Sequence, residues 1–352
     1  MEKMKAVVLR APDQYAIEFT DIPKAGDNEV LVRIKAVSIC GSDPKLFKGQ
    51  YLNMGWPPKY PFILGHEFSG EVVALGNGVT AFQIGDRVAG EAHCGCGTCP
   101  NCKAGHYNLC LNYGKTESGH RHYGFNWQGA YAEYNAYSVN VLTKIPDNLS
   151  FDEATLADTG GTALHAVRLS GITVGGYTLI IGPGPIGIFA MQVAKAMGGK
   201  TIMVGRRERL AAAQRLGADY AIDYEKVSDI VAAVKEITGG MGADEVFECA
   251  GSEVSVSQAV KCARKNGKVV IVSFPVIDDM KIPVKTVVNN QITILGSKAN
   301  PNCAAQIMGL MATRVINTKV LITHKFPIEQ IKEAMDTFTG RKDGALKVVI
   351  NP

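Results

Sequence analysis

Tyr177-Thr178-Leu179-Ile180-Ile181-Gly182-Pro183-Gly184-Pro185-Ile186-Gly187 is the stretch on which the reading of the fold turns. An apolar strand runs into a Gly-x-Gly-x-x-Gly turn, and Ile188 to Met197 continues as a helix. The glycine pattern alone is weak evidence. Set between a strand and a helix it is a dinucleotide turn, whose glycines let backbone N–H groups approach a pyrophosphate at the positive end of the helix. Downstream the rhythm repeats: strand Thr201–Val204, helix Glu208–Leu216, strand Tyr220–Ile222, helix Val227–Ile237, strand Glu245–Glu248, helix Val254–Ala263, then strands Lys268–Val272 and Ile292–Leu295. This alternation predicts a doubly wound parallel sheet, and hence an α/β protein.

An acidic residue about 20 positions past the glycines would normally hold the ribose 2′-hydroxyl of NAD. This chain has Val204-Gly205-Arg206-Arg207 there. Two guanidinium groups suit a 2′-phosphate, which they clamp through charge-assisted, bidentate hydrogen bonds. NADP is therefore favoured; the alternative is NAD, with both arginines merely at the surface beside it.

Towards the N-terminus the pattern changes. Met4 to Val37 alternates in the manner of strands, and Glu29 to Val37 is a period-two strand that delivers Cys40 just past its end. Short glycine-bounded strands at 70–76 and 85–90 continue a β-rich region of small antiparallel sheets or a barrel. Between them lie Cys40-Gly41-Ser42-Asp43 and Leu64-Gly65-His66-Glu67. A thiolate, an imidazole and a carboxylate suit a borderline-soft divalent ion, zinc first, and three protein ligands would leave a catalytic position open. Asp158, in a helix that starts behind Ser150 as N-cap, is a possible completion of that set. Cys96, Cys99, Cys102 and Cys110 read as C-x2-C-x2-C-x7-C, the spacing of a closed structural zinc site. An iron–sulfur cluster or reduced structural thiols are the alternatives; Cys94 is a spectator unless the register slips by one cysteine.

At 352 residues the chain suits two domains, and 46% apolar against 20% charged residues is ordinary for a globular protein. A net charge of +4 without lysine or arginine runs implies neither nucleic acid nor an anionic membrane as partner. No apolar run approaches the ~18 residues of a membrane span, and the first residues lack the pattern of a signal peptide. Nine cysteines, five of them between Cys94 and Cys110, fit metal chemistry in a reducing compartment better than a disulfide framework. The expected location is the cytoplasm. No internal repeat or low-complexity segment is present.

Taken together, Cys40-Gly41-Ser42-Asp43, Gly65-His66-Glu67-Phe68-Ser69-Gly70, the four-cysteine segment and the Gly182 turn, in this order and spacing, resemble the zinc-containing medium-chain alcohol and polyol dehydrogenases over essentially the whole chain. The resemblance implies a GroES-like catalytic domain at 1–152 carrying a zinc lobe at 94–110, a Rossmann domain at 153–299 and a return to the first domain at 300–352. It assigns Cys40 and His66 to a catalytic zinc, with Asp158 in the third-ligand position and Glu67 as a direct ligand or its exchanging partner. Ser42 matches the hydroxyl that starts the proton relay. Thr162, Gly182, Gly184, Pro185, Ile186, Gly187, Arg206, Arg207 and Arg209 match positions around the dinucleotide, and Val272, Ser273, Phe274, Ser297 and Lys298 fall where relatives meet the nicotinamide.

Where many relatives have a relay histidine shortly after the serine, this chain has Lys45. Lys45 then either passes the proton onward or binds an anionic group of the substrate. The implied reaction is reversible hydride transfer between a secondary alcohol or polyol and NAD(P), with Trp56 and residues 47–60 as pocket walls or simply as packing. L-Threonine 3-dehydrogenase or a polyol-phosphate dehydrogenase is the alternative, and a non-catalytic NADPH-binding relative a remoter one. The resemblance also implies a homo-oligomer, a tetramer or a dimer.

Overall fold

A computed structural model describes residues 2–275, 277 and 279–352. The chain divides into two compact units, one made of residues 1–158, 301–312 and 321–352, the other of 159–300 and 313–320.

The first unit is β-rich. Its main sheet has strands in the order Leu142–Lys144, Arg87–Gly90, Glu67–Leu75, Glu29–Ser38, Lys347–Asn351, Ile322–Pro327, with Tyr134–Ser138 also pairing with Glu29–Ser38. A second sheet joins Gln14–Asp21, Lys3–Ala11 and Phe62–Ile63. Inward positions such as Val30, Val32 and Ile34 alternate with more exposed ones, so one face of each strand builds the core. Ser150 begins the helical segment that follows: its hydroxyl accepts the Glu153 N–H, and the Glu153 side chain returns the bond to the Ser150 N–H.

The second unit is a six-stranded parallel sheet. Its strands are β1 (Tyr177–Ile181), β2 (Lys200–Gly205), β3 (Tyr220–Asp223), β4 (Ala243–Glu248), β5 (Ala263–Ile271) and β6 (Thr293–Gly296). They are joined through helices α1 (Pro185–Ala196), α2 (Arg207–Arg215), α3 (Ile230–Ile237), α4 (Glu253–Cys262) and α5 (Val284–Asn290). The strand order β3-β2-β1-β4-β5-β6 is that of a dinucleotide-binding Rossmann sheet, with its topological switch between β1 and β4. Central strands are buried on both faces, as Leu179, Ile180, Val246 and Phe247 show. Helix α3 starts later than the apolar pattern from Val227 suggests, because the Asp229 carboxylate caps it by accepting the N–H groups of Val231 and Ala232. Among the described residues, no helix is long and apolar enough to cross a membrane.

Candidate functional site

In the first unit, sheet register builds the catalytic candidate. Strands Glu29–Ser38 and Glu67–Leu75 are antiparallel with Ser38 opposite Glu67, so Cys40, just beyond one strand, meets His66, just before the other. Gly65 makes the approach at φ +92°, and a β-carbon there would lie 2.9 Å from the Tyr131 ring. The outcome is a group in which one ligand atom each from Cys40, His66 and Glu67 lies within 4.8 Å of the others. Asp158, half-buried on the first turn of helix Leu156–Ser170, is outside that group; burial raises the pKa of Glu91, and the Asp158 charge adds to that.

Asp43 orients the cluster. Its Oδ2 accepts the Cys40 N–H and the Tyr131 hydroxyl, each at 2.8 Å, and its Oδ1 lies 3.5 Å from His66 Nδ1. A carboxylate behind one ring nitrogen turns the other towards an ion. Burial would depress the His66 pKa, yet the negative charges of Cys40 and Asp43 hold it well above the ordinary value. An anionic, buried pocket of this kind attracts a cation, and a thiolate–imidazole–carboxylate donor set fits zinc.

Glu67 is 1% exposed and its Oε2 accepts from both the Ser38 hydroxyl and the Lys347 ammonium. Burial would raise its pKa; Lys347 and His66 more than offset that and hold it below the ordinary carboxylate value. Lys347 arrives on a strand pairing Val349 with Ser38, and it also donates to the Ile39 carbonyl at 3.3 Å. Sequence reasoning missed this residue, since nothing local marks it. Asp43 was within reach, because an acid three residues after a candidate thiolate is well spaced to accept its N–H.

Ser42 Oγ is buried and, among the described residues, meets no protein partner. Lys45 is half-buried with its ammonium 5.9 Å from the Tyr51 ring centre; burial lowers its pKa and the Cys40 charge opposes the shift. Phe125 lies 4.7 Å from the His66 ring and 5.1 Å from Trp56, so Trp56 stands one aromatic layer from the cluster. On Trp56, Met54, Tyr113, Asn126 and Trp127 border a cavity of about 590 Å³.

The second metal candidate is local. Cys96, Cys99, Cys102 and Cys110 bring their sulfurs within 4.8 Å of one another, without Cys94, which is buried and bonded to the Gly95 carbonyl. N–H groups of Cys99, Cys102 and Cys96 donate to the sulfurs of Cys96, Cys99 and Cys110 at 3.4, 3.4 and 3.5 Å. The Thr98 hydroxyl and neighbouring N–H groups pull the Cys96 thiol down to about 5, while burial pushes Cys102 up to about 12. Four sulfurs so close share negative charge poorly without a cation between them, which suits a closed zinc site. The lobe is tied down by Tyr107, whose hydroxyl donates to Glu91 and accepts the Asn302 N–H. Glu91 in turn accepts the N–H groups of Cys303 and Ala304 and so caps helix Ala304–Ala312.

In the second unit, the glycines form a cradle. Gly182 sits at φ +108°, a β-carbon on Gly187 would fall 2.1 Å from the Gly182 carbonyl, and one on Gly184 would meet nothing within 4 Å. The open side at Gly184 leads into α1, which begins with Pro185 and Ile186 and has no side-chain cap on its N–H groups. That geometry fits a pyrophosphate. The other candidates cluster at the carboxyl ends of the strands. Arg206 and Arg207 follow β2, with Arg209 half-buried on α2. Beyond β5, the N–H groups of Val272 and Ser273 donate to the Glu248 carbonyl at 2.9 and 3.2 Å, the Ser273 hydroxyl bonds to the Glu248 carboxylate, and Phe274 is exposed. After β6, Ser297 donates its N–H to Ile271, and burial lowers the pKa of Lys298. Thr162 is half-buried on helix Leu156–Ser170.

A β-rich unit with a zinc-type donor set and a Rossmann unit with a dinucleotide cradle together define a nicotinamide-dependent dehydrogenase class. Comparison with known families agrees: residues 26–147 match the alcohol dehydrogenase GroES-like domain and residues 185–313 the zinc-binding dehydrogenase domain. Sorbitol dehydrogenase of Bacillus subtilis (strain 168) is 33% identical over 355 residues, covering 100% of this chain and 98% of that protein. D-Arabitol-phosphate dehydrogenase of Enterococcus avium is 33% identical over 357 residues, covering 99% and 98%. A solved structure of a Sinorhizobium meliloti 1021 protein bound to NADP superposes with a TM-score of 0.90 at 30% identity, covering 100% of both chains. The chain belongs to the zinc-containing medium-chain alcohol and polyol dehydrogenases, and it is an enzyme, an oxidoreductase of that family.

Proposed function

We propose that the protein interconverts a secondary alcohol or polyol and its ketone, with NADP as the favoured cofactor. The observation that carries this is the convergence of Cys40, His66 and Glu67 next to the unpartnered hydroxyl of Ser42. When bound, zinc would polarise the substrate hydroxyl and the nicotinamide would take up the hydride. Cys40 and His66 would hold the ion, with Glu67, which Lys347 and Ser38 also engage, as the third donor or its exchanging partner; Asp158, matched to the third-ligand position by resemblance, would have to move in from outside that group. Ser42 receives the proton of the substrate hydroxyl and passes it towards solvent. Arg206 and Arg207, at the end of β2, favour the 2′-phosphate of NADP, and the NADP-bound relative supports that preference.

Lys45 favours a second reading for the substrate. A half-buried ammonium near Cys40 suits a phosphorylated polyol, and one relative is a D-arabitol-phosphate dehydrogenase. We also propose a homo-oligomer: β6 is the edge of its sheet, and the neighbouring α5 exposes Val284 and Val288, which a second copy would cover. Nine cysteines, none joined in a disulfide among the described residues, fit the cytoplasm.

The test follows reduced-nicotinamide absorbance over secondary alcohols, alditols, alditol phosphates and L-threonine, with NAD and NADP in parallel, on wild type and Arg206→Ala. Turnover of alditols with an NADP preference that Arg206→Ala removes is the expected result. Turnover confined to alditol phosphates would transfer the reading to the second substrate class, and equal rates with NAD would remove the arginine clamp.

A further inference from the structure

Just past the end of β2, three guanidinium nitrogens are engaged with one carboxylate. Arg207 grips the Glu225 carboxylate with two of them, Nη2 to Oε1 at 2.9 Å and Nε to Oε2 at 3.1 Å, and Arg206 Nη1 reaches Oε1 at 2.8 Å. This is the fork geometry with which arginines hold a phosphate. Glu225 is itself positioned: its N–H donates to Asp223 Oδ1 at 3.0 Å at the end of β3, the strand beside β2, and the Arg206 guanidinium lies 5.5 Å from the Tyr224 ring centre. Arg207 stands at φ +50°, a left-handed conformation that non-glycine residues rarely adopt.

The arrangement has a consequence for the cofactor. A 2′-phosphate and the Glu225 carboxylate are both fork-binding anions, and the paired Nε/Nη2 edge of Arg207 with Arg206 Nη1 can grip only one of them at a time. Arg207 is 72% exposed and Glu225 35%, so the ion pair is screened and weak enough to be displaced. When a cofactor lacks the phosphate, Glu225 stays on both arginines and offsets one of their two positive charges.

We propose that Glu225 is a specificity-determining residue, an internal carboxylate that the 2′-phosphate of NADP must displace from Arg206 and Arg207, and that it thereby narrows the margin by which NADP is preferred to NAD. The inference rests on the arginine-clamp reading. The two arginines also hold the Glu225 pKa below the ordinary value, so the competing charge is present throughout the neutral range.

Calorimetric titration of the full-length protein with 2′,5′-ADP and with 5′-AMP tests both steps without recourse to turnover. In Glu225→Gln, 2′,5′-ADP binds about three- to tenfold more tightly at low ionic strength, 5′-AMP is unchanged to within about twofold, and the gain shrinks as salt rises. Glu236→Gln, the same charge change at an exposed site on α3, moves neither ligand. Arg206→Ala weakens 2′,5′-ADP alone. If Arg206→Ala weakens 2′,5′-ADP while Glu225→Gln leaves it unchanged or weaker, the competitor role is overturned and the clamp stands. If Arg206→Ala has no effect, the clamp fails and takes the competitor role with it.

Discussion

The two cysteine-containing metal candidates are assembled in opposite ways. In the lobe, the first and last ligands, Cys96 and Cys110, are 14 positions apart, and backbone N–H groups of the same segment hold the sulfurs. In the other cluster, Ser38 and Glu67 meet across 29 positions and Lys347 reaches Glu67 across 280, so strand register does the assembly and the aromatic layer of Phe125 and Trp56 buries it. The lobe has four like ligands and, among the described residues, no carboxylate or imidazole hydrogen-bonded to its sulfurs. The register-built cluster mixes three donor types, keeps one carboxylate on a lysine and carries, two residues past Cys40, the Ser42 hydroxyl, which meets no protein partner among the described residues. A site made by local closure suits an ion that holds the chain together; one carried on a rigid sheet suits an ion that must leave room for a substrate.

The contrast can be broken by removing ligands from either side. Cys102→Ser should have the largest effect, because a structural zinc contributes on the order of 10–16 kcal/mol to such a site. Differential scanning calorimetry should show a loss of more than about 10 °C in Tm, and a melt unchanged to within a degree or two would mean that the lobe does not depend on metal. Lys347→Met probes the other cluster. It leaves the Glu67 carboxylate buried without its ammonium, a loss of about 3–5 kcal/mol in urea unfolding. Adding Glu67→Gln should recover much of that loss; no recovery would show that Lys347 acts through something other than this pair.

Ser42→Ala sharpens the comparison at the level of chemistry. It should lower kcat by about two to four orders of magnitude, with zinc content and Tm unchanged. A variant that turns over as wild type would remove Ser42 from the proton path. The smallest effect concerns Lys45. Because burial lowers its pKa, the ammonium loses its proton below the usual lysine range; affinity for an anionic substrate should be full at lower pH and fall as pH rises through that depressed value. KM for an alditol phosphate should therefore climb with alkalinity in wild type and stay flat in Lys45→Gln. A parallel rise in both would place the pH dependence elsewhere.

How much of this could be read in advance follows the same division. The lobe and the Gly182 turn are short-range devices, and their spacing carried them. The parallel sheet was legible because each strand carries a short apolar run, such as Leu179–Ile181 or Val269–Ile271, between helical segments, but α5 was not, since Pro283 opens it without a side-chain cap and it runs only seven residues. The strand Ile322–Pro327 was not legible either, because pairing with Lys347–Asn351 selects its register and the local pattern does not. In the site, Cys40, His66 and Glu67 were marked by their own motifs. Lys347 and Glu225 were not, because each acquires its role only when a distant strand brings it beside a partner.

The most direct measurement counts zinc per chain by emission spectrometry in wild type, Cys40→Ser and Cys102→Ser, with turnover and Tm recorded on the same samples. Two ions are expected in wild type and one in each variant, with activity abolished and Tm nearly kept in Cys40→Ser, and Tm strongly reduced in Cys102→Ser. A Cys40→Ser protein that retains both ions, or that turns over at the wild-type rate, would contradict the assignment of the register-built cluster as the catalytic centre.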